Sequence, residues 1–145
     1  MNLKQCAHDY FLHKDCNCAE AVVMAANDTW GLGITPADVH LLSGFGGGMG
    51  CKRTCGALAG GVAIIGRLAV TGCAHNTPGF GPLCGEFVQQ FIDKLGSDQC
   101  ADLIPRYRTE AERCVAVVEH AAQLLEEHVH KHGLMKGESL HGNPV

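Results

Sequence analysis

Residues 44–72 read G-F-G-G-G-M-G-C-K-R-T-C-G-A-L-A-G-G-V-A-I-I-G-R-L-A-V-T-G, a glycine-rich loop that carries Cys51 and Cys55 and runs into an apolar segment. Past Cys55, the glycines at 56, 60, 61 and 66 alternate with Val62, Ile64, Ile65, Leu68 and Val70, which leaves one stripe of a helix nearly bare. An interior helical glycine costs about 1 kcal/mol relative to alanine, so several together imply neighbouring helices that come close. This is the central helix of the fold, and Cys55 opens it. It falls short of the roughly 20 apolar residues that a spanning helix needs and contains Arg67, so it reads as a buried core helix with no membrane span.

The flanking pattern is helical throughout. Leu3, Cys6, Ala7, Tyr10 and Phe11 share a stripe behind a cap at Asn2, and Ala19, Val22, Val23 and Ala26 define a second helix that stops between Asn27 and Gly33. Thr35, Pro36 and Asp38 give a capping box with proline at the first helical position, opening a short helix to about Ser43. The Gly/Pro-rich run from Gly72 to Cys84 predicts a surface loop. Pro82 then opens a helix with Phe87, Phe91 and Leu95 on one face and Gly96 as its stop, and Ser97 recaps a two-turn piece ended by Pro105. From Thr109, with Glu112 as a second box, a long amphipathic helix runs to about Lys131 with Ala111, Cys114, Val115, Val118, Ala121, Ala122 and Leu125 facing inward. No stretch alternates as a strand. The expected fold is an all-α, single-domain bundle of about six helices over residues 1–132, with a flexible tail at 133–145. The glycine-striped helix and the Phe and Leu faces exceed what such short helices readily cover, which suggests a homodimer.

Nine cysteines without an apolar leader at the N-terminus point to the cytoplasm and to reduced, metal-bound or redox-cycling thiols. A net charge of −4 with no basic run argues against nucleic acid. The glycine loop fails both nucleotide fingerprints, because Cys51 and Arg53 break the P-loop pattern and Met49 breaks the dinucleotide one. Exposed amides at Gly46, Gly47, Gly48 and Gly50 can still hold an anion or a cluster sulfide. No C-x-x-C occurs, which removes thioredoxin, zinc-ribbon and haem-attachment motifs, so covalent haem is not expected. His128 and His132 stand four apart and can chelate, although at a helix end the plainer account is solvated histidines. Cys18, Cys55, Cys100 and Cys114 each open or line a separate predicted helix, so a bundle can bring them to one point, and the helix start favours a Cys55 thiolate.

Cys55-Gly56-Ala57-Leu58-Ala59-Gly60 resembles the core motif of the redox-active protein family labelled C_GCAxxG_C_C. Asn17-Cys18-Ala19 with Glu20-Ala21-Val22, Leu95–Cys100 and Cys114–Val118 resemble the family's other cysteine segments, over most of residues 6–125. The resemblance extends to a domain found in split-Soret cytochromes. It implies redox-active or metal-binding cysteines and an iron–sulfur cluster; the expected function is that Cys18, Cys55, Cys100 and Cys114 hold such a cluster, of the two-iron type, and transfer electrons to a redox partner that the sequence does not name. Two alternatives stay open: a cluster-free thiol–disulfide protein with Cys55 as attacking thiolate and Cys51 as resolving partner, and a structural zinc domain. Cys6, Cys16, Cys73 and Cys84 have no assigned role.

Overall fold

A computed structural model describes residues 1–135. Among these residues seven α-helices run in the order α1 (Leu3–His13), α2 (Cys18–Trp30), α3 (Pro36–Val39), α4 (Gly56–Ala69), α5 (Phe80–Leu95), α6 (Cys100–Tyr107) and α7 (Val115–Lys131). Short 3-10 turns at His40–Phe45 and Ala74–Asn76 and a tight turn at Gly48–Lys52 complete the path. The fold is all-α; among the described residues only two isolated bridges, Thr54 with Gln99 and Thr109 with Arg113, pair extended backbone. Among the described residues no helix is long and apolar enough to cross a membrane.

α4 is the helix the others gather on. It packs mainly against α2 and also touches α5 and α7, while α1 closes the remaining side across α2 and α7. Its buried face comprises Gly56, Ala57, Leu58, Gly60, Gly61, Ile64, Ile65 and Leu68. The glycines divide by what they meet. A side-chain carbon at Gly60 would stand 2.8 Å from the Ala19 carbonyl oxygen on α2, and one at Gly61 would stand 2.7 Å from the Phe87 ring on α5. At Gly66 the nearest atom, on the Phe80 ring, is 3.6 Å away, an ordinary contact. Gly60→Val is therefore expected to overpack against backbone that cannot yield and to lower stability by about 2–3 kcal/mol. Gly66→Ala should raise it by about 0.5–1 kcal/mol through helix propensity. Thermal melts of the two variants, moving in opposite directions, check this.

The caps follow the sequence closely at the N-terminal end. Asn2 with Gln5, Asn17 with Glu20 and Thr35 with Asp38 each form a reciprocal capping box, and Gly31 and Gly96 end α2 and α5 in the left-handed conformation. Three boundaries differ from the sequence reading. α5 begins at Phe80, two residues before Pro82, because the missing amide of a first-turn proline costs no helical hydrogen bond. α6 runs through Pro105 to Tyr107; the proline leaves an exposed Ala101 carbonyl free to be solvated, so one further turn survives. α7 starts only at Val115. Residues 109–113 fold back on themselves, Thr109 and Arg113 exchanging backbone bonds of 3.0 and 2.7 Å, with Arg113 at φ 55°. Ala111 is consequently exposed and not part of the inward face.

The core is built from Phe87, Phe91, Leu3, Leu58, Ile64, Ile65, Leu95 and Leu125 with the valines and alanines of α2 and α7. Phe87, Phe91 and Leu95 are covered inside the chain, and among the described residues the exposed large apolar side chains are Met1, Leu41 and Met49. Leu134 and Met135 lie against the core, and the rest of the expected tail, 136–145, lies outside the described residues.

Candidate metal centre

Four helix N-termini open onto one cavity. Cys18 is the first residue of α2, Cys55 the cap of α4, Cys100 the first residue of α6 and Cys114 the cap of α7. All four line a single cavity of about 420 Å³. The positive ends of four helix dipoles therefore face the same space, a setting that favours negative charge within it.

The backbone fixes the thiols in pairs. Residues 53–55 and 98–100 form a two-bond antiparallel clip, the Cys55 amide donating to the Asp98 carbonyl at 2.9 Å and the Cys100 amide to the Arg53 carbonyl at 2.6 Å. The glycine loop wraps this clip. The Arg53 amide donates to the Gly48 carbonyl at 2.9 Å, and Gly48, at φ 65°, sits where a side-chain carbon would stand 2.6 Å from both the Arg53 nitrogen and the Cys100 Cβ. Gly56 and Gly46 are tight as well: a side chain at Gly56 would meet the Phe45 carbonyl at 2.6 Å, and one at Gly46 the Asn17 amide at 2.6 Å. The Asn17 side chain caps α2, accepting from the Glu20 amide, and donates to the Ser43 carbonyl at 2.9 Å. Cys18 is thus tied to the loop that holds Cys55 and Cys100. Arg113 anchors the fourth cysteine, donating to the Phe11 carbonyl at 3.0 Å with its guanidinium over the Phe11 ring, immediately before Cys114.

The predicted site residues fall into two groups. Cys18, Cys55, Cys100, Cys114, Gly47, Gly48 and Gly50 line the cavity. Gly46 supports it from behind through Asn17, and Cys51 is exposed, its thiol 3.7 Å from the Gly48 carbonyl, and does not line the cavity. Cys6, Cys16 and Cys84 are half-buried and Cys73 is exposed, all outside the cavity. Three cations that the sequence reading passed over, Lys52, Arg108 and Arg113, line it with no carboxylate among the lining residues. Two of them adjoin cysteines in the chain, Cys51-Lys52 and Arg113-Cys114, and that adjacency is the only sign of them in the sequence.

Electrostatics corrects one expectation. Burial pushes the Cys55 thiol up to about 11, even though the amides of Leu58 and Ala57 at the start of α4 pull it down. Desolvation outweighs the helix end, so Cys55 is a protonated thiol and not a ready nucleophile. Burial also raises Cys18 to about 12, assisted by Cys55, Cys114 and Cys100 in that order, and raises Cys100, assisted by Cys114 and opposed by Lys52 and Arg108. Because the folded values of Cys18 and Cys55 lie above the ordinary thiol value, the folded state binds these protons more tightly than the unfolded chain. Their contribution to stability is full below about pH 8.5 and disappears as pH rises through 11–12. Metal-free, reduced protein should therefore melt at progressively lower temperature between pH 9 and 11. Cys18→Ser, which cannot ionise there, should lose less; melts in chelator across that range test the difference.

The four cysteines share the cavity wall. Among the described residues, the group of three ligand atoms that meets within 4.8 Å consists of Glu86, His128 and His132, elsewhere in the fold.

The family model described as "Putative redox-active protein (C_GCAxxG_C_C)" matches residues 16–128, a span that contains all four cavity cysteines. No curated protein and no solved structure matches the chain.

Proposed function

The chain belongs to the C_GCAxxG_C_C family of redox-active proteins, and from that premise we propose that Cys18, Cys55, Cys100 and Cys114 hold an iron–sulfur cluster through which the protein transfers electrons. The observation that carries the reading is the convergence of four thiols, each at a helix N-terminus, on one cavity. Four thiolates are the ligand complement of a two-iron or four-iron cluster, and we favour the two-iron type. Such a cluster supplies reversible one-electron chemistry when bound.

The chain's own part is electrostatic and steric. Binding four thiolates replaces up to four protons, and the cost of deprotonating thiols raised to 11 and 12 is offset by metal–sulfur bonds, the four helix ends and the three cavity cations. Gly47, Gly48 and Gly50 line the cavity, and in this reading their amides donate to sulfur, which raises a reduction potential, as do Lys52, Arg108 and Arg113. The exposed loop above the cavity also brings solvent and a redox partner near the centre, with Met49 and Gly50 both exposed. The opposing account, a Cys51–Cys55 disulfide pair, has less support, since Cys55 is buried and protonated while Cys51 lies outside the cavity.

Anaerobic purification followed by iron and sulfide analysis with an absorption spectrum tests the reading. About two iron and two sulfide per chain, with a brown chromophore bleached by dithionite, is the expected result. Colourless protein holding zinc and no sulfide would replace it with the structural-zinc reading.

A further inference from the structure

A second group of ligating side chains, none of which lines the thiol cavity, joins the start of α5 to the end of α7. His128 is only 1% exposed, so the plain account of a solvated histidine does not hold for it. Its Nε2 lies 2.9 Å from the Leu83 carbonyl oxygen. A carbonyl can only accept, so Nε2 carries the hydrogen and Nδ1 of the neutral ring is a bare lone pair. Burial lowers the His128 pKa and keeps the ring neutral. Nδ1 is buried and has no hydrogen-bond partner. The group it faces is the Glu86 carboxylate, whose Oε2 is 3.7 Å away, one set of electron pairs against another. The same oxygen is 3.0 Å from His132 Nε2.

Native proteins seldom bury an acceptor opposite a carboxylate without a compensating group between them. Two donors held about 2.1 Å from one ion at a tetrahedral angle stand about 3.4 Å apart. The observed separations of 3.0 and 3.7 Å bracket that value, and all three ligand atoms lie within 4.8 Å of one another. The Leu83 carbonyl behind His128 is the support that metal-binding histidines normally have, fixing both tautomer and ring orientation. We infer that Glu86, His128 and His132 form a site for a divalent cation of the zinc class, separate from the cysteines, that clasps α5 to the end of α7. Two imidazoles and one carboxylate suit such an ion, and three protein ligands leave a position for water. Lys131 is its competitor: Nζ sits 2.7 Å from Glu86 Oε2, on a half-exposed, flexible side chain that can withdraw.

Because thiolates bind the same metals, the test must separate the two sites. Cobalt(II) added anaerobically to the full-length protein gives intense near-ultraviolet charge transfer where thiolates bind it and only weak visible bands where histidine and carboxylate do. Wild-type protein should take up one equivalent more than His132→Gln or Glu86→Gln, with the thiolate band unchanged; both side chains are partly exposed, so these variants keep the fold. Zinc should move the Nδ1 resonance of the His128 ring in nitrogen NMR, and Lys131→Gln should bind about 2- to 5-fold more tightly, the value of one removed surface ion pair. Equal uptake by wild type and His132→Gln, or a His128 resonance that zinc leaves unmoved, would overturn the assignment.

Discussion

Replacing any one of Cys18, Cys55, Cys100 or Cys114 by serine should remove most of the bound centre, whereas Cys73→Ser should leave it nearly intact. Each of the four lines the same cavity, so a single replacement deletes one ligand and leaves three thiols facing an incomplete shell. Loss of the chromophore by roughly tenfold or more is expected in each of the four variants, since ligand removal at a metal centre commonly costs that much in affinity. Cys73 is exposed on the connection between α4 and α5 and touches nothing in the cavity. Cys51→Ser separates the cluster from the disulfide account. A disulfide has two ends, so under the disulfide account Cys51→Ser and Cys55→Ser would do equal damage and Cys100→Ser would be tolerated. With a four-thiol centre, Cys51→Ser is nearly silent. Absorbance, bound iron and free-thiol count across the set read the pattern.

Much of this arrangement was legible in the residues. Capping boxes at Asn2 and Thr35 and the alternation of glycine with branched apolar residues in 56–68 mark helices whose ends and faces the structure reproduces. That Cys18, Cys55, Cys100 and Cys114 each belong to a different helix was also visible, because each stands beside a start signal or in an apolar stripe. Their meeting at one cavity depends on how the helices cross, and local periodicity carries no information about that. The refolded turn at 109–113 escaped for a related reason: Thr109 and Glu112 read as a capping box, and the structure keeps the Thr109 bond to the Glu112 amide at 3.0 Å. Arg113 then turns left-handed and delays the helix until Val115. The sign of the Cys55 shift was not legible either, since a helix start favours the thiolate and only the three-dimensional burial of the side chain reverses it. His128 is the same case, a histidine among charged neighbours in sequence that packing seals against Leu83 and Phe87.

Gly48→Ala should abolish the centre without replacing any of the four cysteines. The new methyl would stand 2.6 Å from the Arg53 nitrogen and from Cys100 Cβ and 2.8 Å from the Arg53 carbonyl oxygen, all parts of the clip that sets Cys55 beside Cys100. The Arg53 backbone and the Cβ at the root of the Cys100 side chain cannot give way as a side-chain tip would. The left-handed φ of 65° adds a further cost of about 1 kcal/mol for any residue with a Cβ. Together these should lower stability by about 3 kcal/mol, near 10 °C in Tm for a chain of this size, and displace Cys100 from the cavity. Gly47→Ala is the matched control, left-handed at φ 64° but with no atom within 4 Å of the added carbon. It should pay only the conformational cost and retain the chromophore. Paired melts and spectra of the two variants distinguish a steric requirement at Gly48 from a general need for glycine in the loop.

Alkylation footprinting of loaded and stripped protein, read by mass spectrometry at each cysteine, tests the convergence of the four thiols most directly. Cys18, Cys55, Cys100 and Cys114 should become protected together on loading and released together by chelator. The exposed thiols of Cys51 and Cys73 should react at the same rate in both states. Protection of Cys51 on loading while Cys100 stays reactive would contradict the four-helix centre and move the site to the glycine loop.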